Sequence, residues 1–173
     1  VLRGASAFLN GATPGNGGLG GAINLLPKRA PNEPLSRVTT SVASGGQTTV
    51  STDLARRFGE NDQFGLRLNA AHRDGDTAVN GESSSLNLGS LGLDWRYEKA
   101  RVSADIGWQE NRLKGARPNV TLGSGVTSVP SAPDNKTNYA QSWSYSNERD
   151  LFGTLRGEYD LTDSVTAWGA WGM

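Results

Sequence analysis

From Arg37 to Met173, apolar residues recur at every second position over long stretches. Phe64, Leu66, Leu68 and Ala70 interleave with Gly65, Arg67, Asn69 and Ala71. Further on, Ala100, Val102, Ala104, Ile106 and Trp108 interleave with Arg101, Ser103, Asp105, Gly107 and Gln109. A period of two places one set on each face of a sheet. The pattern predicts seven strands, at about 37–43, 48–58, 63–74, 86–97, 100–113, 148–161 and 164–172. One face is apolar. The other carries Asp53, Arg57, Arg67, Arg73, Asp94, Arg96, Arg156 and Glu158, too many charges for a second buried layer to accept unpaired. Most of these strands are about twice as long as the ~5–6 residues of a common strand. Roughly ten residues tilted at about 45° cross the hydrocarbon of a bilayer. The fold expected is all-β, the wall of a transmembrane antiparallel barrel, apolar outside and wet inside.

The connections sort by edge. Residues 59–62, 98–99 and 162–163 make tight turns, whereas 75–85 and 114–147 are long and polar. The 44–47 connection is short but lies on the long-loop edge. Outer-membrane barrels keep short turns on the periplasmic side and long loops outside. Phe58, Phe64, Trp95, Tyr97 and Tyr159 lie within a few residues of a short turn on the outward parity, where an interfacial aromatic girdle belongs.

Composition narrows the classes. Lys+Arg and Asp+Glu are each 17, so the formal charge is zero, which gives no signal for nucleic acid or an electrostatic membrane anchor. The mean hydropathy is −0.50, and no run approaches the ~18 apolar residues of a membrane helix; a barrel escapes that test because only alternate residues meet lipid. Cysteine is absent, which excludes disulfides and thiolate metal sites. The single histidine, His72, faces outward in this register, which argues against a Ser-His-Asp arrangement. Enzymatic chemistry, a resident cofactor and a protein metal site are therefore not expected.

Residues 1–34 have a different texture, rich in glycine and punctuated by Pro27, Pro31 and Pro34. Gly15-Asn16-Gly17-Gly18-Leu19-Gly20 fits a dinucleotide-binding spacing, but no strand precedes it and Pro27 arrives before a helix could form. The stretch from Val1 through Arg3-Gly4, Asn10-Gly11, Pro14-Gly15 and Gly20-Gly21-Ala22-Ile23-Asn24 to Lys28-Arg29-Ala30-Pro31 resembles the end of the plug of TonB-dependent outer-membrane receptors, most closely the siderophore-receptor branch. The residues that carry the likeness are Arg3, Gly4, Gly11, Pro14, Gly15, Gly20, Gly21, Asn24, Lys28 and Pro31. Ala5, Asn10 and Leu26-Pro27 depart from the family pattern.

The resemblance implies residues 1–34 as the C-terminal part of the plug with its linker, and 35–173 as the first seven or so strands of an incomplete barrel. It implies TonB-dependent import of ferric siderophores across the bacterial outer membrane. Iron would enter only inside its ligand, with TonB and outer-membrane lipid as partners. The TonB box is not in this sequence. An odd strand count and an alternating run that stops at Met173 add the expectation of a fragment. Within the long loop, Arg117, Tyr139, Trp143 and Tyr145 are the candidate ligand contacts, since aromatic faces and cations suit anionic, oxygen-rich ferric chelates. A passive porin or adhesin would lack the Gly21–Pro31 motif. A soluble β-sandwich would bury the outward residues against a second sheet.

Overall fold

The computed structural model describes residues 27–173. They form one antiparallel meander, β1 (Leu35–Val42), β2 (Thr48–Phe58), β3 (Phe64–Asp76), β4 (Ser83–Tyr97), β5 (Ala100–Lys114), β6 (Tyr145–Thr162) and β7 (Val165–Gly172), each strand paired with its sequence neighbours. The only helical turn among the described residues is the 3₁₀ turn Glu60–Asp62 between β2 and β3. The plug-motif residues Arg3, Gly4, Gly11, Pro14, Gly15, Gly20, Gly21 and Asn24 lie outside the described residues, as does the glycine-rich stretch; Lys28 and Pro31 lie within them.

The predicted and observed strands agree to within one residue at most ends; the exceptions are the start of β1 at Leu35, the end of β3 at Asp76 and the outer starts of β4 and β6. β4 begins at Ser83 and β6 at Tyr145, each three residues before the alternation starts. The run Ser83-Ser84-Ser85 has no apolar period to read. It is a strand because Lys114, Leu113 and Arg112 of β5 stand opposite, and a backbone ladder continues while its partner does, whatever the side chains. The same partners pair with Tyr145, Ser146 and Asn147 on the other side. Tyr145 is therefore a strand residue, not a loop residue, and the long loop is 115–144.

The register fixes two faces. Leu54, Leu68 and Leu91 are cross-strand neighbours, as are Leu66, Leu93 and Ala104. Asp53, Arg67, Gly92 and Asp105 belong to the opposite parity. Residues 27–32 lie against that second, charged face, which is the inner one. Nothing among the described residues covers the outer one. Among the described residues only Ala30 and Ala55 are buried hydrophobics, while Leu93, Ile106, Trp108 and Leu155 are 42–51% exposed. A sandwich would have buried these side chains under a second sheet, so that reading fails.

The outer face ends on the short-turn edge with Phe58 and Phe64, stacked at 5.8 Å, and Trp95 and Tyr97, stacked at 6.3 Å. Arg56 is the charged exception there. It folds back to donate to the carbonyls of Leu35 and Ala55, 2.8 Å each. On the other edge the β1–β2 turn needs Gly45 (φ +87°), where a Cβ would strike the backbone of Asp76 and Thr77. This turn packs against the end of β3, which keeps it short on the edge that elsewhere carries long loops.

Candidate functional site

The inner face holds the segment that precedes β1. Arg29 Nη1 and Nη2 donate to Asp105 Oδ1 and Oδ2 of β5, both at 2.7 Å. The carbonyl of Arg29 accepts from Arg67 Nη1 of β3 at 2.8 Å, and Arg67 also grips Asp53 of β2 with Nε at 2.9 Å and Nη2 at 2.6 Å. The Ala30 carbonyl accepts from Arg57 Nη1 at 2.9 Å, while Arg57 Nη2 reaches Asp94 Oδ2 at 2.6 Å. Asn32 Oδ1 accepts from Arg96 Nη2 at 2.7 Å. Four strands thus hold three residues of the segment, Arg29, Ala30 and Asn32, through charge-assisted, partly bidentate bonds, the stronger class of hydrogen bond.

Local sequence makes room for these bonds. Gly65 stands opposite Asp94 and Gly92 opposite Asp105. A Cβ at Gly65 would meet the Asp94 carboxylate and Arg57 Nη1, and one at Gly92 would lie 3.2 Å from Asp105 Oδ1. The pairs are well shielded: the Arg57 side chain is 2% exposed and that of Asp105 8%. Of the inward-facing arginines, Arg57, Arg67 and Arg96 bond residues 30, 29 and 32. Arg101 does not; among the described residues it pairs within the wall, with Glu158 at 2.9 Å and Asp160 at 2.7 Å. Its row partner on β4 is Arg96, which reaches Asn32, while Arg101 turns to the two carboxylates of β6. Arg29 and Asp105 were the readable pair that sequence reasoning passed over. The signal was a motif cation facing an inward aspartate set opposite a glycine.

The long loop is tied to its neighbour. Arg117 Nε donates to Glu82 Oε2 at 3.0 Å, and Thr77 Oγ1 donates to Glu82 Oε1 at 2.8 Å, so the buried Glu82 carboxylate joins the 115–144 loop to the β3–β4 loop. The Asn80 amide donates to the Lys136 carbonyl at 3.0 Å, and Asn138 Nδ2 to the Gly115 carbonyl at 2.9 Å. Tyr139 and Trp143 project from this loop, 56% and 75% exposed. Tyr145 opens β6 opposite Lys114, on the outward parity. Among the described residues no hydrogen bond or ring stacking joins Arg117, Tyr139, Trp143 and Tyr145 to one another. Glu82 carried no readable signal, because a loop carboxylate shows its burial only in three dimensions.

No family model matches the chain. It is 42% identical over 172 residues to the ferrichrome receptor FcuA of Yersinia enterocolitica, an alignment that covers 99% of this chain and 23% of that protein. The crystal structure of BauA, the ferric preacinetobactin receptor of Acinetobacter baumannii, superposes with a TM-score of 0.92 at 40% identity, over 99% of this chain and 25% of that one. The ferripyoverdine receptor of the Pseudomonas aeruginosa outer membrane shares the fold, with a TM-score of 0.77 at 19% identity over 91% of this chain and 21% of that one. The seven-strand meander, its bare outer face and its occupied inner face are what such a barrel wall requires. The chain belongs to the family of TonB-dependent siderophore receptors of the outer membrane, and it spans about a quarter of the length of the relatives it matches.

Proposed function

We propose that the protein containing this chain imports ferric siderophores across the outer membrane with energy delivered through TonB. In this reading residues 1–34 are the end of the plug and its linker, and residues 35–173 are the first seven strands of the barrel. The observation that supports it best is the grip of Arg57, Arg67, Arg96 and Asp105 on residues 29–32. The grip is made of polar bonds, which can exchange for water one at a time, so a pull on the plug need not break an apolar core.

The ligand would be a ferric chelate, as the names of the ferrichrome and preacinetobactin receptors suggest by likeness. Arg117, Tyr139 and Trp143 remain the proposed contacts on the extracellular side; Tyr145, on the outward parity of β6, does not. Iron is cargo held inside the siderophore, the protein carries no cofactor, and it catalyses no covalent step. Uptake of a panel of radiolabelled ferric siderophores by cells that depend on the intact receptor tests the assignment. Transport of at least one ferric chelate is expected. Transport of cobalamin or a sugar, with no ferric siderophore accepted, would overturn the substrate class.

A further inference from the structure

On the outer face of β5 the apolar series Val102, Ala104, Ile106, Trp108 gives way to Glu110, Arg112 and Lys114; on β6, Leu155, Gly153 and Leu151 give way to Arg149. The change falls on one register row, because Trp108 pairs with Leu151 and Glu110 with Arg149. Arg149 Nε donates to Glu110 Oε1 at 2.7 Å, and Arg112 Nη2 donates to the same oxygen at 2.8 Å. Three cations against one carboxylate leave a local charge of +2. Glu148 and Asp150 have the opposite parity and face inward.

The carboxylate is sheltered while its partners are not: the Glu110 side chain is 11% exposed, those of Arg112 and Arg149 55% and 70%. Glu110 thus works as a buried strut that splays two guanidinium groups outward. Among the described residues Arg112 Nη1, both Nη atoms of Arg149 and the Lys114 ammonium have no acceptor. They stand directly beyond the bare apolar band, on the long-loop edge, where a lipid headgroup meets the wall. Guanidinium forks match phosphate oxygens in geometry and charge.

We propose that Arg112, Arg149 and Lys114, braced by Glu110, form a binding site for the phosphate of an anionic lipid headgroup in the outer leaflet. The site rests on the reading that this face meets lipid, and it is distinct from the siderophore path on the inner side. It gives the barrel a fixed lipid neighbour beside the root of the 115–144 loop, since β5 and β6 both end there.

The test uses the intact receptor in bilayer nanodiscs of phosphatidylcholine doped with phosphatidic acid, with retained lipid counted by native mass spectrometry. The R112Q/R149Q double variant should lose phosphatidic acid by roughly fivefold per cation removed, with phosphatidylcholine unchanged. Arg112→Lys/Arg149→Lys keeps the charge and should retain most binding. Glu110→Gln removes the competing anion and should tighten it. Undiminished retention by the folded R112Q/R149Q variant overturns the proposal, as does equal displacement by inorganic phosphate, which would make the ligand a free ion. Labelling of Ile106→Cys by a lipid-phase probe in the same discs separates the causes. If it labels and retention is undiminished, only this site falls; if it does not label, the outward reading falls, and the site with it.

Discussion

Alternate residues of the same strands build two unlike surfaces. On the inner face Arg57, Arg67 and Asp105 are each committed to two or more partners, one of them in the segment before β1. One residue along, Leu66, Leu93 and Ile106 meet no second layer among the described residues. The glycines show the same contrast. Added Cβ atoms at the inward Gly65, Gly92 and Gly107 would meet a carboxylate, a carboxylate and the Phe152 ring, whereas those at the outward Gly89, Gly157 and Gly169 would meet nothing within 4 Å. The inner face is specified atom by atom through directional bonds. The outer face is specified only by class, since any side chain content in hydrocarbon will do.

The sharpest way to break this comparison is to put a charge on each side. In the intact receptor Ile106→Arg should cost about 2–4 kcal/mol, the penalty for a cation near the bilayer midplane of a barrel. Ser103→Arg, on the inner parity beside Arg156, should cost far less because water and Glu158 are within reach. Urea unfolding of receptor folded into phosphatidylcholine vesicles measures both. Equal costs would remove the distinction between the faces. A chemical version of the test needs no energies: cysteines at Leu66, Leu93 and Ile106 should take a lipid-phase probe, and cysteines at Arg67, Asp94 and Asp105 should not. The reverse pattern would place the register one residue out, because a single slip exchanges the faces.

Next in size is the grip itself. Asp105→Ala leaves Arg29 without its bidentate acceptor and should cost about 1.5–3 kcal/mol, the range for hydrogen bonds to charged groups. In the Arg29→Ala background the same change should cost much less. The cycle isolates the pair. Hydrogen exchange at residues 29–32 supplies a second reading: it should quicken in Asp105→Ala and stay slow in an outward control such as Leu93→Ala. Unchanged exchange would mean that the wall does not hold this segment through Asp105.

Smaller still is the glycine contrast. Gly65→Ala forces a methyl between Asp94 and Arg57 and should cost about 1–2 kcal/mol, within the usual range for overpacking. Gly89→Ala, with open space around it, should be neutral or slightly stabilising because the unfolded chain loses freedom. Thermal melting of both variants in detergent decides it, and an equal loss at the two sites would refute the packing argument.

The period of two made the strands, their faces and the short-turn edge legible, because a barrel wall in lipid has only one other solvent to choose from. Strand ends were less legible. Ser83–Ser85 and Tyr145–Asn147 extend past the apolar band, where pairing and not hydropathy decides, so alternation alone leaves Tyr145 in the loop. The inner ladder was half legible: Arg67 and Arg96 had the right parity, but parity does not say which arginine reaches the segment and which, like Arg101, turns to Glu158 and Asp160. Least legible was the clasp of Arg117 on Glu82, made by two loops distant in sequence. That clasp also bears on the ligand. An arginine already bonded to a buried carboxylate offers a chelate only its remaining donors, whereas Tyr139 and Trp143 stand exposed on the same loop.

The smallest expected effect concerns that loop. Long loops on a rigid wall are where binding residues concentrate, and Trp143 is the most exposed aromatic of the proposed set. Stacking of one aromatic ring contributes about 1 kcal/mol beyond its buried area, so Trp143→Ala should weaken ferric-siderophore binding several-fold. The barrel should stay as stable as before, because the residue lies outside both the strand ladder and the apolar band. Arg117→Ala makes the informative partner. If Arg117 acts through its bond to Glu82, its loss should loosen the tie between the two loops and raise hydrogen exchange at residues 77–82, with a change in affinity that follows the loss of order. If it touches the ligand directly, affinity should fall with exchange unchanged. Binding titrations and exchange on the same two variants separate a ring that holds the ligand from a cation that holds the loop. An affinity unmoved by Trp143→Ala would shift the contact to the plug side of the cavity.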